Sequence, residues 1–190
     1  MKVIEGRLPD VKLIEPEIHR DARGFFFESY NRERFIAHGI DQQFIQDNHS
    51  LSVVAGVIRG LHYQLDPYAQ TKLVRVIAGA VYDVVVDLRL GSPTFGQWQG
   101  FELSAGNMLQ LLVPRGFAHG FCTLTANTEV LYKVDTLYSS EHDRGIRWND
   151  PAIGIDWPIG NDGLQDPILS EKDLQLPMLA SAEVNFTYGR

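Results

Sequence analysis

A single cysteine, Cys122, leaves this chain unable to form an internal disulfide, which suits a reducing compartment. No apolar run approaches the length that spans a membrane. The opening residues, MKVIEGRLPDVKLIEPEIHRD, carry a charge every few positions and hold no signal-peptide core, so a cytoplasmic protein is expected. Positive charge is also short: 17 Lys and Arg against 24 Asp and Glu give a formal net charge of −7, which argues against a protein that coats nucleic acid or an anionic membrane. A local basic pocket for a phosphorylated ligand is still compatible with that balance. Pro/Ser/Gly-rich linkers, low-complexity tracts and fixed-period repeats are missing as well. With 190 residues and 44% hydrophobic content, the expectation is one domain over 1–190 with one well-filled core.

Helical periodicity is scarce, and short strands punctuated by Gly, Pro and Asn take its place. Residues 1–28 read as short strands with turns, ending in the run Phe25-Phe26-Phe27. The best helix candidate covers 31–38: Asn31 caps it, Tyr30 and Phe35 have the spacing of a hydrophobic staple, and Gly39 suits the exit. A polar cluster, Gln46 to Ser50, leads into an apolar run over 51–57. Strands are expected over 57–65, 72–77, 81–88, 97–103, 109–113, 122–124 and 129–135. In the strand over 81–88, Asp83 and Asp87 share one face, with Tyr82, Val84, Val86 and Leu88 on the other. After Tyr138 the pattern fades into loops, with a short helical piece near 170–174. Together these predict an all-β, jelly-roll sandwich or barrel with few short helices.

The most informative stretch is 56–79, where two apolar strand frames flank a turn at Asp66-Pro67. Set into those frames are Arg59, His62, Gln64, Lys72 and Arg75. A solvated sheet face would account for polar residues at alternate positions. Gly60, however, is costly inside a strand and implies a bulge or a close backbone approach. A histidine placed between long cationic side chains makes an anion-binding floor with a titratable group in it.

Pro114-x-Gly116-x-x-His119 resembles the second conserved motif of the cupin superfamily, many of whose members bind a metal through a His-x-His in their first motif. Here the first motif reads His62-Tyr63-Gln64, and glutamine is a poor ligand for zinc, iron or copper. A metal-free site is therefore expected. Further matches follow in order: Arg23-Gly24-x-Phe26-x-Glu28, Gln46-Asp47-Asn48-x-Ser50, Arg59-Gly60-Leu61-His62-Tyr63-Gln64, Gln70-x-Lys72-Leu73-Val74, Asp83-Val84-x-Val86-Asp87-x-Arg89, Gly116 to Phe121, Tyr132-Lys133, Trp148-Asn149-Asp150-Pro151 and Leu169-Ser170-x-Lys172-Asp173. Taken together they resemble the dTDP-4-dehydrorhamnose 3,5-epimerase family from about residue 7 to Asp173, with 174–190 as a tail beyond the likeness.

That resemblance implies a dTDP-linked 4-keto-6-deoxyhexose as substrate, inverted at C3 and C5 without metal or organic cofactor. It implies His62 as the base, Asp173 as its orienting partner and Tyr132 as the acid, with Arg59, Lys72 and His119 lining the sugar and diphosphate pocket. Lys72 would support the enolate. Arg23, Phe26, Glu28, Gln46, Asn48 and Tyr138 would belong to the nucleotide side, and Asp143 and Lys172 to two further contacts. The family usually carries glutamate where this chain has Asp143. A homodimer is implied too, with N-terminal residues of one subunit reaching the nucleotide of the other.

The residue types suit that chemistry on their own terms. Each pKa unit of mismatch between a base and a carbon acid costs about 1.4 kcal/mol, so a bare histidine needs a cation or donor on the enolate oxygen. Inversion removes a proton from one face and returns it to the other, which takes two groups. Tyr132 reads equally as a core aromatic beside Val130 and Val134, and Asp173 as a helix-start carboxylate. Spacing alone does not bring Asp173 to His62. The rival readings are a 3-epimerase making one inversion, a 3,4-ketoisomerase disfavoured by Gln64, and a non-catalytic nucleotide-sugar-binding jelly roll.

Overall fold

Two antiparallel sheets enclose an apolar centre. The computed structural model describes residues 1–160 and 166–189. In chain order the elements are β1 (Lys2–Glu5), β2 (Lys12–Glu15), β3 (His19–Asp21), β4 (Gly24–Phe26), α1 (Arg32–Ile36), β5 (Gln46–Ser52), β6 (Ile58–Gln64) and β7 (Lys72–Ala78). There follow β8 (Ala80–Asp87), β9 (Trp98–Ser104), β10 (Gln110–Val113), β11 (Phe117–Thr123), β12 (Thr128–Val134), β13 (Asp143–Gly145) and α2 (Glu171–Leu174). One sheet has the order β1-β2-β10-β7-β12-β5 and the other β13-β6-β11-β8-β9; β3 and β4 form a separate two-stranded ribbon. This is the expected jelly roll. Val74, Val76, Leu111 and Val130 of the first sheet meet Val81, Val85, Leu103 and Phe117 of the second between the layers.

The helix forms for the reasons its sequence offers. The Asn31 side chain accepts from the Arg34 N–H at 3.2 Å, and the Tyr30 and Phe35 rings meet with centroids 5.0 Å apart. Its buried Phe35 packs with Ile14, Leu73 and Leu112 on the outside of the six-stranded sheet.

Several details differ from the sequence reading. The strands expected over 57–65 and 72–77 exist as β6 and β7, but they lie in opposite sheets rather than side by side. The Asp66-Pro67 turn carries the chain across the sandwich, so Arg59 and His62 of β6 face Lys72 of β7 through its interior, whereas Arg75 points to the outer face of β7, over the Phe27 ring. The polar cluster at 46–50 is itself strand β5, paired with β12, while residues 53–57 of the apolar run form mainly a turn. At the sheet's edge, inward-facing positions of β5 need not be apolar, because they line a cavity. The strand expected over 122–124 begins at Phe117 and is buried throughout. A short strand, β13, pairs with β6 where only loop was expected. The alternation along β8 is as expected, yet both faces are covered: Ile146, Ile153, Trp157 and Phe186 pack behind it, and Asp83 and Asp87 point into the sandwich fully buried.

Candidate active site

Arg59 and His62 are three residues apart, which in a regular strand would put them on opposite faces. They share a face because β6 bulges between them. His62 pairs with His119 on β11, but Arg59 pairs with Phe121, so three steps on β6 span two on β11. Gly60 makes this possible at φ 128°, and a Cβ there would lie 2.6 Å from the Gly120 Cα. Gly120 is as confined, since its Cβ would lie 2.7 Å from the Arg59 carbonyl oxygen. The expected close approach is thus a glycine-on-glycine contact. It sets two imidazoles opposite each other on neighbouring strands.

Each imidazole has its own carboxylate. His62 Nε2 lies 2.6 Å from Asp173 Oδ1, and His119 Nε2 lies 2.8 Å from Asp83 Oδ1. Asp173 sits in the first turn of α2, where the Ser170 side chain caps its backbone N–H at 3.2 Å. It is therefore both a helix-start carboxylate and the partner of His62. Burial pushes the Asp173 carboxyl up, but the bonds and charge of His62, with Ser170 and the Gly60 amide, outweigh this and hold it below the usual range. With Nε2 engaged, Nδ1 is the His62 nitrogen left for chemistry.

Facing these from the other sheet are Lys72 on β7 and Tyr132 on β12. His62, Asp173, Lys72 and Tyr132, with Arg59, His119 and Lys172, line one cavity of about 570 Å³, a size that suits a small-molecule ligand. Burial lowers the Lys72 ammonium to about 8, opposed by the charges of Asp83 and Asp143. Burial raises the Tyr132 phenol; Arg59 opposes it and Asp143 adds to it, so the hydroxyl keeps its proton at neutral pH. Arg59 is aimed by the end of β5, in the opposite sheet: Nε donates to Ser52 Oγ at 3.2 Å and an Nη to the Leu51 carbonyl at 3.1 Å. Leu51, Val53, Val54 and Ile168 give the cavity an apolar mouth.

The remaining sequence candidates divide into two groups. Gln46 and Asn48 lie further along β5, bonded to each other at 2.9 Å, with Asn48 in register with Tyr132. Asp143 gathers Tyr138, whose hydroxyl donates at 3.1 Å, and the Lys172 ammonium. The aspartate thus closes a rim contact with a side chain one methylene shorter than the family's glutamate. Gln46, Asn48, Tyr138 and Asp143 stand beside the main cavity without lining it, and Arg23 and Phe26 stand apart on the β3–β4 ribbon around a separate cleft. Arg23 is paired with Asp21, and Glu28 with Arg34. Gln64 is committed to the fold: its amide donates to the Tyr68 and Leu137 carbonyls at 2.7 and 3.2 Å, and its oxygen accepts from the Ser139 N–H at 2.7 Å. Among the described residues, no group of three His, Cys, Asp or Glu side chains comes together as a metal site.

Sequence reasoning gave Asp83 no role beyond its place in a motif. The available signal was an aspartate in the valine-rich run Val81 to Val86, where a charge needs a partner if both faces are covered.

The sequence model of the dTDP-4-dehydrorhamnose 3,5-epimerase family matches residues 5–181, a little beyond the likeness seen in the motifs. A Pseudomonas aeruginosa protein named dTDP-4-dehydrorhamnose 3,5-epimerase is 54% identical over 185 residues, covering 96% of this chain and 98% of that one. The crystal structure of the Bacillus anthracis enzyme of that name, with TDP and pyrophosphate bound, superposes with a TM-score of 0.89 at 56% identity, over 93% of this chain and 98% of that one. A Legionella pneumophila dTDP-6-deoxy-D-glucose-3,5-epimerase in complex with dTDP-4-keto-L-rhamnose gives 0.89 at 46% identity, over 95% and 93% of the two chains.

Proposed function

Because the chain belongs to the dTDP-4-dehydrorhamnose 3,5-epimerase family, we propose that it is a cofactor-independent isomerase. It converts dTDP-4-dehydro-6-deoxy-D-glucose to dTDP-4-dehydro-L-rhamnose, a step of dTDP-L-rhamnose biosynthesis, by inverting C3 and C5. The observation that carries the proposal is the meeting of the His62–Asp173 pair, Lys72 and Tyr132 in one cavity.

The C4 ketone acidifies the hydrogens on both neighbouring carbons. His62 Nδ1 takes the proton from C3 or C5, while Asp173 accepts from Nε2–H and steadies the imidazolium that forms. The electron pair moves to the C4 oxygen, where the Lys72 ammonium stabilises the enolate. Tyr132 returns a proton to the opposite face, and the carbon is inverted. Each carbon needs the same three groups, so one site serves both steps once the sugar ring has turned. Arg59, His119 and Lys172 take the anionic diphosphate and the sugar hydroxyls, which is how an acidic protein holds an anionic ligand. No metal is required, since the ketone itself supplies the acidity.

Phe25 and Phe26 are 56% and 69% exposed on a ribbon that joins neither main sheet, an arrangement that favours a homodimer in which a second copy covers them. Arg23 and Phe26 would then serve the partner's nucleotide. We read 1–190 as one catalytic domain, because Phe186 of the tail is buried in the core behind β8. Among the described residues no helix is long and apolar enough to cross a membrane, and buried, unpaired Cys122 fits work in the cytoplasm. The test is NMR of the keto-sugar incubated with enzyme in D2O: deuterium is expected at C3 and C5. Label at C3 alone would make the protein a mono-epimerase, and no label would leave a binding protein. Sedimentation showing a fully active monomer would remove the dimer.

A further inference from the structure

The mechanism above uses His119 of the second histidine–carboxylate pair but not its carboxylate, Asp83, one of whose oxygens is unaccounted for. Asp83 is fully buried, with Oδ1 on His119 Nε2 at 2.8 Å, and among the described residues its Oδ2 has no hydrogen-bond partner. A buried carboxylate oxygen without a partner is costly, so the structure retains it against a price in stability. Among the described residues the Lys72 ammonium likewise has no hydrogen bond or ion pair, although it is largely desolvated and feels the Asp83 charge.

The other charged groups around Lys72 are already engaged. From β6, His62 is bonded to Asp173 of α2, and Arg59 to Ser52 and Leu51. From β13, Asp143 holds Tyr138 and Lys172. From β12, Tyr132 is a neutral phenol at working pH, and from β11 His119 is on Asp83 itself. The Asp83 charge acts on Lys72 without a direct bond between them, and among the described residues neither Oδ2 nor the ammonium has another hydrogen-bond partner.

We propose that Asp83 is a positioning residue for the epimerisation, a buried counter-charge that keeps Lys72 cationic beneath the enolate oxygen while orienting His119 toward the ligand. The division of labour is by oxygen. Oδ1 takes one imidazole nitrogen and leaves Nδ1 of His119 for the sugar nucleotide. Oδ2 stays free of short bonds, so its field reaches Lys72 without drawing the ammonium out of the pocket. A direct ion pair would have spent the charge before the substrate arrived.

The inference rests on the epimerase reading, and the experiment separates the two. Deuterium exchange into the keto-sugar is followed across pH for wild type and Asp83→Asn, with dTDP affinity and circular dichroism recorded alongside. In wild type the rate falls as pH rises through the Lys72 value of about 8. Asp83→Asn keeps an acceptor for His119 but not the charge, so that alkaline limb should move down by about one pH unit and the rate above it fall about tenfold further. A slower variant whose limb has not moved would reduce Asp83 to a structural part and overturn the proposal. If Asp83→Asn fails to fold, His119→Gln decides: the carboxylate remains, so the limb must stay or move to higher pH, and a downward shift overturns the proposal. Absence of exchange in wild type removes the epimerase reading and this proposal together, whereas exchange with an unmoved limb removes this proposal alone.

Discussion

Asp173→Asn changes one oxygen for an NH2 group and almost nothing else. The shape is kept, the Ser170 cap on the backbone of residue 173 is untouched, and the side chain is only 6% exposed in the native fold. What goes is a negative charge 2.6 Å from His62 Nε2. At an effective dielectric constant of about 20, opposite unit charges about 4 Å apart are worth about 4 kcal/mol, or about 10³ in rate if the imidazolium forms in the rate-limiting step. The amide can also turn its N–H to Nε2, which places the imidazole proton on Nδ1 and removes the lone pair that takes the sugar proton. Single-turnover exchange of the C3 and C5 hydrogens in D2O should therefore fall by about 10³ at neutral pH, with dTDP affinity unchanged. A second readout is independent of activity. The carboxyl of Asp173 lies below its ordinary value, so its pairing stabilises the fold above about pH 3.9 and is lost as pH falls through the depressed folded value. Asp173→Asn should lack that part of the acid-side loss of stability. Exchange above about a tenth of the wild-type rate would refute the reasoning, because at most about 1.4 kcal/mol would then be assignable to the charge.

Tyr132→Phe should still exchange hydrogen at one or both carbons while yielding little inverted product, because removal and return of the proton use different groups; normal epimerisation by this variant would place the acid elsewhere. Gly60→Ala meets the Gly120 backbone at 2.6 Å from a φ of 128°, so it should cost about 2–4 kcal/mol and lower the melting temperature by roughly 5–15 °C. An unshifted melting curve would show that the bulge yields easily. Exhaustive chelation should leave the rate unchanged, and activity lost to EDTA but restored by one divalent ion would refute the metal-free mechanism.

Much of the site could be read before any coordinates because its residues sit in locally unusual surroundings. Gly60 inside an apolar strand announced the bulge that now puts Arg59 and His62 on one face. Asn31, Tyr30, Phe35 and Gly39 are a complete local specification of α1, and the structure uses the first three as cap and staple. What escaped were relations between strands. A turn such as Asp66-Pro67 has the same local chemistry whether it closes a hairpin or crosses between sheets, so the opposition of His62 and Lys72 across the sandwich was invisible. Polar alternation along β5 likewise means solvent or cavity with equal force. Ser52 and Asn48 take their meaning only from Arg59 and Tyr132, which other strands supply.

Asp83 and Asp87 make the same point more sharply, because they are alike in sequence and opposite in duty. Both lie on β8, both face inward, and both are fully buried. Asp87 is saturated: Arg89 donates to both of its oxygens, and Ser92 and Thr94 add bonds at 2.7 Å. All three of those residues follow within seven positions, so the local sequence alone provides for that charge. No such local donor follows Asp83, and among the described residues its one side-chain hydrogen bond reaches across to His119 on β11. A buried carboxylate whose neighbours in sequence cannot satisfy it must be answered by tertiary structure or by a ligand. In this fold it points into the end of the sandwich where the apolar centre gives way to the cavity, and where Lys72 feels its charge with no ion pair among the described residues.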